Sequence, residues 1–444
     1  MTIRRETEMA ASIDEVFGWH ERPGAVRRLM PRWQPVTVLR ESASLRDGTA
    51  VLGLPGGLRW SARHQPGDYD PPHRFADELV TAGLGPALAW RHVHEFEEAG
   101  TATRVIDTVD SRAPRFLVEP VLRYRHAQLA AELASLERSR QWSDRAVTIA
   151  ITGSSGLIGS VLTALLTTSG HSVIRLVRRT PRAPDERQWN PMEADPDLLS
   201  DVDAVIHLAG EHIGGRFSER HRRELRDSRV TPTRLLAESA VRAERGPQTF
   251  VSASGIGYYG YDRGDEILAE DSDPGDGFVA ELVRDWEAAA APAKQAAMRV
   301  VQIRTGIVQD PRGGALQILY PVFWAGLGGR LGDGTHWMSW IGLDDLLDIY
   351  RRAVLDDSLY GPVNAVAPEP VRNADYSRTL AKVLHRPAII PTPRIGPRIL
   401  VGEQGSRELA YANQRVRPAR LESAGHVYRY RDLGPALSHV LGRD

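Results

Sequence analysis

The sequence predicts an α/β protein: a doubly wound parallel sheet, preceded by a smaller α+β domain and followed by a C-terminal α/β lobe. Three observations support this fold class. From residue 147 onwards, apolar segments of strand length alternate with amphipathic segments of helix length. A glycine-rich turn joins the first of these strands to the first helix. Before residue 143, short strand-like segments follow one another between turn residues and lead into a long helical segment.

Length and composition limit the classes of protein to which the chain can belong. Its 444 residues are too many for one ordinary domain, and its hydrophobic fraction of 42% is typical of a globular protein. No apolar run has the length of a membrane span and no signal peptide is recognisable, so we expect a cytoplasmic protein. The absence of cysteine excludes disulfides and thiolate metal sites. With a net charge of −1, we expect small-molecule partners rather than nucleic acid or a membrane.

The first domain is expected to contain two short helices, an antiparallel meander and a long final helix. A strand over residues 3–9 leads to Ser12, a typical N-cap for the first helix, and Pro23 starts the second. Further strands are expected at residues 36–41, 50–54, 58–64, 74–80, 88–97 and 102–110. The final helix carries its apolar face at Leu122, Leu129, Leu133 and Leu136.

Two histidines of this domain, His92 and His94, fall on one face of a predicted strand. Two imidazoles at this spacing can begin a metal site, but the sequence offers no third ligand near them. We therefore expect them to line a cavity or the surface, and we predict no metal site.

Residues 147–179 form a complete β-α-β unit. An apolar strand over residues 147–151 is followed by the glycine-rich turn, a helix that ends near Gly170, and a second strand over 173–177. Glycines allow the backbone to approach a pyrophosphate, and the N-terminus of the helix attracts that anion. The residues expected to contact the cofactor are Gly153, Ser154, Ser155, Gly156, Leu157, Ile158 and Gly159. A tight strand-to-helix turn without a ligand is the alternative interpretation.

The end of the second strand indicates which dinucleotide is bound. Proteins that bind NAD usually place an acidic residue there to hold the ribose hydroxyls, whereas those that bind NADP place arginine there to hold the 2′-phosphate. This chain has Arg178 and Arg179 at that position, with no acidic residue. We predict NADP(H), with Arg178 as the first candidate for the phosphate contact and Arg179 as the second.

Further residues are expected at the carboxyl edge of the same sheet. The predicted third strand (203–208) ends in small residues, the fourth (249–252) runs into a segment rich in serine and glycine, and the fifth covers 299–304. Additional cofactor contacts are assigned to Leu208, Ala209, Gly210, Glu211, Ser252 and Arg304. Glu211 has an alternative role as an acid/base group, and Arg304 as an anchor for an anionic substrate. For most of the arginines in the helix after the third strand we predict a solvated face.

A polar segment over residues 137–146 separates the two patterns, and we place the domain boundary near Ser143. The expected domains are residues 1–143, a dinucleotide-binding domain over 147–370, and a C-terminal substrate lobe over 371–444.

Three motifs at the predicted sheet edge, GSSGLIG, LAG and SASGIGYYG, resemble the extended short-chain dehydrogenase/reductase superfamily in its NAD-dependent epimerase/dehydratase branch. Longer motifs, among them FVAELVRDWE and GDGTHWMSWIGLDDL, resemble the sugar-nucleotide epimerase-like subfamily with a C-terminal domain of unknown function. The resemblance covers roughly residues 147–440 and implies a Rossmann fold. The element order of the first domain resembles the START-like polyketide cyclase/dehydrase superfamily, which implies a helix-grip fold around a cavity for a hydrophobic ligand. The alternative there is a packed domain that binds nothing or docks on its neighbour.

Members of this superfamily use a serine or threonine, a tyrosine, and a lysine four residues after the tyrosine. Ser254 matches the serine, but no tyrosine here has a lysine four residues on, since the only lysines are Lys294 and Lys382. The resemblance therefore leaves three possibilities: Tyr258 or Tyr259 acts as the acid/base, another group acts, or hydride transfer is lost. Packing over the nicotinamide is an equal alternative for the two tyrosines.

These observations predict an NADP(H)-dependent oxidoreductase or epimerase-like enzyme that acts on a small, unidentified substrate, for which the fused first domain suggests apolar character. Ser254 would polarise the substrate oxygen while a hydride passes between the nicotinamide and a carbinol or carbonyl carbon. Two alternatives come from other classes of protein. One is a non-catalytic NADP(H)-binding module that senses redox state, and the other is a carrier of hydrophobic ligands with a vestigial dinucleotide domain.

Overall fold

The computed structural model describes residues 1–393 and 395–443, which divide into two compact units. The first unit comprises Met1–Gln141 and Thr163–Gly170, and the second comprises Trp142–Leu162 and His171–Arg443. The C-terminal segment predicted as a separate lobe lies within the second unit. In the part of the chain that is described, no helix combines the length and the apolar character that crossing a membrane requires.

The first unit is built on one antiparallel sheet of seven strands. The strands are β1 (Thr2–Met9), β2 (Thr37–Arg40), β3 (Thr49–Gly53), β4 (Arg59–His64), β5 (Arg74–Leu79), β6 (Arg91–Ala99) and β7 (Ala102–Asp110). Their spatial order is β1-β7-β6-β5-β4-β3-β2, so that the chain runs through the sheet as a meander and β1 pairs with the last strand.

Four helices accompany this sheet. They are α1 (Ile13–Glu21), α2 (Ala25–Leu29), α3 (Leu84–Leu88) and α4 (Arg115–Ser139). Ser12 caps α1 by accepting a hydrogen bond from the backbone N–H of Glu15, as the sequence predicts. Leu129 and Leu133 of α4 pack with Phe17 of α1 and Phe96 of β6 in the core of the unit.

One strand boundary in this unit differs from the prediction. Leu88, expected to begin a strand, ends the single helical turn of α3, and the strand begins at Arg91. Gly83 and Ala89 on either side of this turn both have positive φ angles, of 78° and 45°, which reverse the chain locally.

The second unit contains a parallel sheet of seven strands. In spatial order these are β10 (Glu186–Gln188), β9 (Ser172–Val177), β8 (Thr148–Thr152), β11 (Ala204–His207), β12 (Thr249–Gly255), β14 (Arg299–Thr305) and β18 (Gly361–Ala365). The chain adds strands on one side of β8 and then returns to place β11 on its other side. This reversal puts the topological switch point between the carboxyl ends of β8 and β11, where such sheets bind ligands. The predicted doubly wound sheet is confirmed.

The crossover helices and the C-terminal elements complete this unit. The helices are α5 (Leu157–Thr168), which contributes its residues 157–162 to this unit, α6 (Glu219–Asp227), α7 (Val230–Arg242), α8 (Phe278–Ala288), α9 (Ala291–Gln295), α10 (Gly314–Trp324), α11 (Leu343–Leu355), α12 (Asn373–Leu384), α13 (Ile395–Gly405), α14 (Ala419–Ser423) and α15 (Leu433–Leu441). Short strands pair outside the main sheet as β13 (Asp262–Leu268) with β20 (Asn413–Val416), β15 (Ile307–Gln309) with β17 (Trp340–Gly342), and β16 (Trp337–Met338) with β19 (Val371–Arg372).

The central strands of the parallel sheet contain short, buried apolar runs, as expected for strands that are covered on both faces. Ile149, Ala150 and Ile151 of β8 are fully buried. Phe250 of β12 and Leu236 of α7 belong to the core on one side of the sheet. This rigid core fixes the carboxyl edge on which the polar side chains of the site are mounted.

Candidate functional site

The glycine-rich turn follows β8 at the switch point. Gly153 has a φ of +68°, and a Cβ atom on it would lie 2.9 Å from the carbonyl carbon of Leu208. A Cβ on Gly159, in the first turn of α5, would lie 2.2 Å from the carbonyl oxygen of Gly153. Gly153 therefore requires glycine because of its positive φ and the close approach of the segment after β11, and Gly159 because the helix and the turn lie too close for a side chain. We call this turn and the start of α5 the glycine cradle; dinucleotide-binding folds place a pyrophosphate at such a turn.

The remaining residues of the turn form the rim of this cradle. Ser154 is buried, whereas Ser155 and Gly156 are exposed. Helix α5 begins at Leu157, so Leu157 and Ile158 belong to its first turn, where backbone N–H groups have no partner within the helix. The helix extends over 12 residues, long enough for its dipole to favour an anion at this end.

The two arginines that follow β9 differ in their contacts. Arg179 donates to both oxygens of Glu186, at 2.8 and 2.7 Å. The bond from Arg179 and one from the backbone N–H of Arg182 lower the pKa of Glu186 to about 2. Arg178 is exposed and makes no ion pair or side-chain hydrogen bond with any residue that the structure describes. Of the two candidates for a phosphate contact, Arg178 is the one whose guanidinium is available.

Hydrogen bonds fix both ends of the segment that follows β11. The backbone N–H groups of Leu208 and Ala209 both donate to Oγ1 of Thr152, at 3.1 Å. At the other end, Nη2 of Arg229 donates to the carbonyl oxygen of Glu211 at 2.7 Å. The segment is thereby fixed beside the glycine cradle, where the sequence predicts it.

Arg229 is a residue whose role the sequence did not reveal. It is 9% exposed, and burial lowers its pKa to about 10 while the nearby Glu211 opposes that shift. Gly210 lies against its side chain, since a Cβ there would meet the guanidinium carbon at 3.2 Å. The predicted solvated face does not include this arginine. Its position was the signal that the sequence offered, since Arg229 lies directly before α7 and outside the preceding arginine-rich helix.

A row of polar residues crosses three strands at the carboxyl edge. Ser254 of β12 is in register with Arg304 of β14, which is in register with Asn364 of β18. From α8, Oε1 of Glu287 accepts hydrogen bonds from Oγ of Ser254 at 2.6 Å and from Nε of Arg304 at 2.8 Å. Oε2 of Glu287 accepts a further bond from Nη2 of Arg304 at 2.9 Å. Glu287 therefore ties the predicted serine to the predicted arginine.

Glu287 is the second functional candidate that the sequence analysis missed. It lies near the end of the helix that follows Ser254, within the motif FVAELVRDWE, and only the structure brings it against the sheet. Because Glu287 and Arg304 are 11% and 3% exposed at their side chains, they form a buried ion pair. The carboxylate orients the hydroxyl group of Ser254 by accepting its hydrogen bond.

Arg304 is fully engaged by its neighbours. Besides Glu287, it donates from Nη1 to the hydroxyl of Tyr259 at 3.0 Å and to the carbonyl oxygen of Glu270 at 3.3 Å. Its carbon Cζ lies 3.5 Å from the ring centroid of Tyr258. These contacts favour a positioning role for Arg304 over the predicted contacts with a cofactor or an anionic substrate.

The two adjacent tyrosines differ in exposure and therefore in what they can do. Tyr259 is fully buried, and its hydroxyl donates to Oδ1 of Asn364 at 2.7 Å while accepting from Arg304. Burial raises the pKa of Tyr259 to about 12 although Arg304 opposes that shift. Both hydrogen-bonding functions of this phenol are occupied, which favours a packing role. Tyr258 is partly exposed, so it is the tyrosine that can reach a substrate.

Replacement of Tyr259 by phenylalanine is expected to lower the free energy of unfolding by about 1–3 kcal/mol, since Arg304 and Asn364 each lose a buried partner. The measurement is urea denaturation of the full chain. Tyr258→Phe is the matched control and is expected to change this free energy by less than about 0.5 kcal/mol. Equal losses in both variants would contradict the division of roles.

Ser252 lies two residues before Ser254 on β12 and is 2% exposed. Its Oγ donates to the carbonyl oxygen of Ala253 at 3.1 Å. Its neighbour in register, His207, is fully buried beside Thr152, and burial lowers the pKa of His207 to about 3. Ser252 and the neutral His207 therefore lie deeper in the sheet than Ser254.

Two segments of the chain match known protein families. Residues 149–364 match the NAD dependent epimerase/dehydratase family, and residues 392–440 match a domain of unknown function, DUF1731. An epimerase family protein of Mycobacterium bovis is 43% identical over 298 residues, which are 66% of this chain and 98% of the relative.

Two solved structures are similar to the chain. A nucleoside-diphosphate sugar epimerase from Corynebacterium glutamicum is 43% identical, with a TM-score of 0.88, and the match covers 99% of this chain and 90% of that one. The human epimerase family protein SDR39U1, solved with NADPH, is 34% identical, with a TM-score of 0.62. That match covers 66% of this chain and 99% of the human one.

Proposed function

The chain belongs to the NAD dependent epimerase/dehydratase family, and from this premise we propose that it is an NADP(H)-dependent oxidoreductase or epimerase-like enzyme that acts on a small substrate. A nicotinamide supplies or accepts a hydride when it is bound. The chain's own residues supply the phosphate site, the hydrogen bonds to the substrate oxygen and the proton.

The residues at the switch point fit a dinucleotide. The glycine cradle at Gly153 and Gly159 leaves room for a pyrophosphate against the first turn of α5. The segment from Leu208 to Glu211 lies across β11, within reach of the same edge. The human relative SDR39U1 was solved with NADPH, which supports the phosphorylated cofactor.

The observation that carries the choice of NADP(H) is which of the charged side chains after β9 are already paired. Glu186 is the nearby carboxylate that could hold the ribose hydroxyls of NAD, but both of its oxygens already accept bonds from Arg179. Arg178 remains exposed and unpaired among the described residues. A free guanidinium beside an occupied carboxylate favours a 2′-phosphate.

At the reacting end, we assign Ser254 to the substrate oxygen. Its hydroxyl donates to Glu287, and its oxygen can accept a hydrogen bond from a carbinol hydroxyl; to polarise a carbonyl oxygen, the hydroxyl would release Glu287 and donate to the substrate instead. Tyr258 is the partly exposed phenol whose ring packs on Arg304, and it is the candidate for exchanging a proton with that oxygen. Glu287 and Arg304 hold Ser254 and the Tyr258 ring in place.

For the first unit we propose a START-like helix-grip domain that binds a hydrophobic small molecule. The support is its element order, in which an antiparallel sheet of seven strands faces a 25-residue helix. Such a domain would hold or deliver an apolar substrate. The expected result is an apolar compound retained by the purified full chain in native mass spectrometry, and its absence from chain purified out of several hosts would contradict this part of the proposal.

The experiment that tests the enzyme is NADPH oxidation by the purified chain with a panel of aldehydes, ketones, quinones and nucleoside-diphosphate sugars. The last class is included because of the Corynebacterium relative. Turnover is expected with at least one member, and Ser254→Ala is expected to lower kcat by about 100-fold, with NADPH affinity unchanged.

The rival function is a redox-sensing module without turnover, which the missing tyrosine–lysine pair favours. Tight NADPH binding without turnover across the whole panel would support this rival and contradict the enzyme. Ser423→Ala is the control variant, because its exposed hydroxyl on α14 donates to the carbonyl oxygen of Arg420 and the change is expected to leave kcat within about threefold of the original value.

A further inference from the structure

A cluster of histidine and aspartate side chains lies on one face of the sheet in the first unit. His92 and His94 alternate on β6, and the sheet register places Asp77 of β5 opposite His92 and Asp107 of β7 opposite His94. His92 and His94 are 6% and 3% exposed. The four side chains therefore form a compact group that includes both imidazoles singled out in the sequence.

Three of these residues present ligand atoms to a common point. One donor atom each from Asp77, His92 and His94 lie within 4.8 Å of one another. Oδ2 of Asp77 is 4.0 Å from Nδ1 of His92 and 3.8 Å from Nε2 of His94. A tetrahedral ion with bonds of about 2.1 Å holds its ligand atoms about 3.4 Å apart, so binding requires Asp77 to approach each of the two histidines by about half an ångström.

The opposite ring nitrogens face the second carboxylate. Nδ1 of His94 is 2.7 Å from Oδ1 of Asp107, and Nε2 of His92 is 3.5 Å from its Oδ2. In metal sites, a ligating histidine usually donates its other ring N–H to a carboxylate, which fixes the orientation and the tautomer of the ring. Neither contact has hydrogen-bond geometry as it stands, so Asp107 can orient both histidines only after a small rotation of the rings.

Buried polar atoms in the cluster lack hydrogen bonds. Nε2 of His92 and Nε2 of His126 have no hydrogen-bond partner among the residues that the structure describes. His126 of α4 lies 3.4 Å from Asp107 through this nitrogen, and Nε of Arg125 lies 3.8 Å from the same carboxylate. Leaving buried nitrogens without hydrogen bonds costs free energy, and such atoms call for a further ligand in the cluster.

Aromatic packing holds the histidines in this arrangement. The ring of His94 stacks on Phe75 at a centroid distance of 4.2 Å, and the rings of His92 and His94 are 3.9 Å apart. Rings that packing already fixes at alternate positions of one strand lose little conformational freedom when they bind an ion. The site is therefore organised before any ion arrives.

We propose that Asp77, His92 and His94 bind a divalent transition-metal ion, with Asp107 orienting the two imidazoles. Two imidazoles and one carboxylate are the donors preferred by Zn²⁺ and Fe²⁺, whereas Ca²⁺ and Mg²⁺ prefer sets made of oxygen alone. Three protein ligands leave at least one coordination position open for an oxygen donor of a small molecule. The sequence could not reveal this site, because its third ligand lies on a different strand, 15 residues before His92.

The test is titration of the EDTA-treated full chain with Zn²⁺, followed by calorimetry, and with Co²⁺, followed by visible absorption. One ion per chain and the d–d bands of Co²⁺ bound to nitrogen and oxygen ligands are expected. Asp77→Asn and His94→Gln are expected to weaken Zn²⁺ binding by at least about 100-fold, and Asp107→Asn by about 10- to 100-fold.

His73→Gln is the matched control, because His73 is an exposed imidazole just before β5 and is expected to leave the affinity unchanged. Far-UV circular dichroism checks that each variant is folded, and His92→Gln replaces any variant that is not. Absence of stoichiometric binding in the original chain would overturn the proposal, as would a His94→Gln or Asp77→Asn variant that binds as tightly as the original. The NADPH affinity of the second unit is measured separately, so failure here is distinct from failure of the proposed function.

Discussion

Replacement of Arg178 by alanine is expected to raise the dissociation constant of NADPH by about 10- to 100-fold and to leave that of NADH within about twofold. The exposed guanidinium is free to form charge-assisted hydrogen bonds with a 2′-phosphate, and each such bond contributes about 1.5–3 kcal/mol. NADH has no phosphate at that position, so it loses no contact. The measurement is fluorescence or calorimetric titration of both dinucleotides.

Arg179→Ala is the matched comparison for this result. Its guanidinium is already engaged with Glu186, so the loss of NADPH affinity is expected to be smaller than for Arg178→Ala. An equal loss of NADPH and NADH affinity in the Arg178 variant would contradict the assignment of a phosphate site. A larger loss in the Arg179 variant would transfer the assignment to Arg179.

Replacement of Glu287 by glutamine is expected to lower the free energy of unfolding by about 3–5 kcal/mol, the largest effect on stability that we predict. The amide removes the charge that compensates Arg304, whose side chain is 3% exposed and cannot be hydrated in place. The bond from Arg304 to the hydroxyl of Tyr259 does not replace an anion. Urea denaturation of the full chain measures the change.

Asp285→Asn provides the control on the same helix. Asp285 pairs with Arg226, but both side chains are more than 40% exposed, and exposed pairs contribute little. A change of less than about 0.5 kcal/mol is expected. If the Glu287 and Asp285 variants lost the same stability, the ion pair to Arg304 would not be the source of the effect. Arg304→Met combined with Glu287→Leu is expected to recover part of the loss, since no buried charge remains.

The parallel sheet could be predicted from the sequence because its signals are local. Each central strand contains a short apolar run, and the need for glycine at Gly159 comes from one turn and the helix that follows it. The same holds for Ser12 at the start of α1, whose cap bond joins residues three apart. These features depend on neighbouring residues alone.

The rest depends on partners that are distant in the chain. Strand β13 carries five charged or glycine residues among its seven and forms only by pairing with β20, about 150 residues later. Glu287 meets Arg304 through the packing of α8 on the sheet, and the sequence shows neither partner's burial. The same limit applies to the adjacent tyrosines, since nothing local distinguishes the buried Tyr259 from the accessible Tyr258.

The pairing of β13 with β20 has a consequence for how the chain is inherited and produced. The first strand lies in the segment that matches the epimerase family, and the second lies in the segment that matches the domain of unknown function. The carbonyl oxygen of Arg417, just after β20, accepts the hydrogen bond that orients the Asn364 amide. The two matched segments thus hydrogen-bond to each other within one compact unit. A truncation between them would leave the edge of β13 unpaired and remove the acceptor of the Asn364 amide, so we expect the first segment to lose stability when it is produced alone.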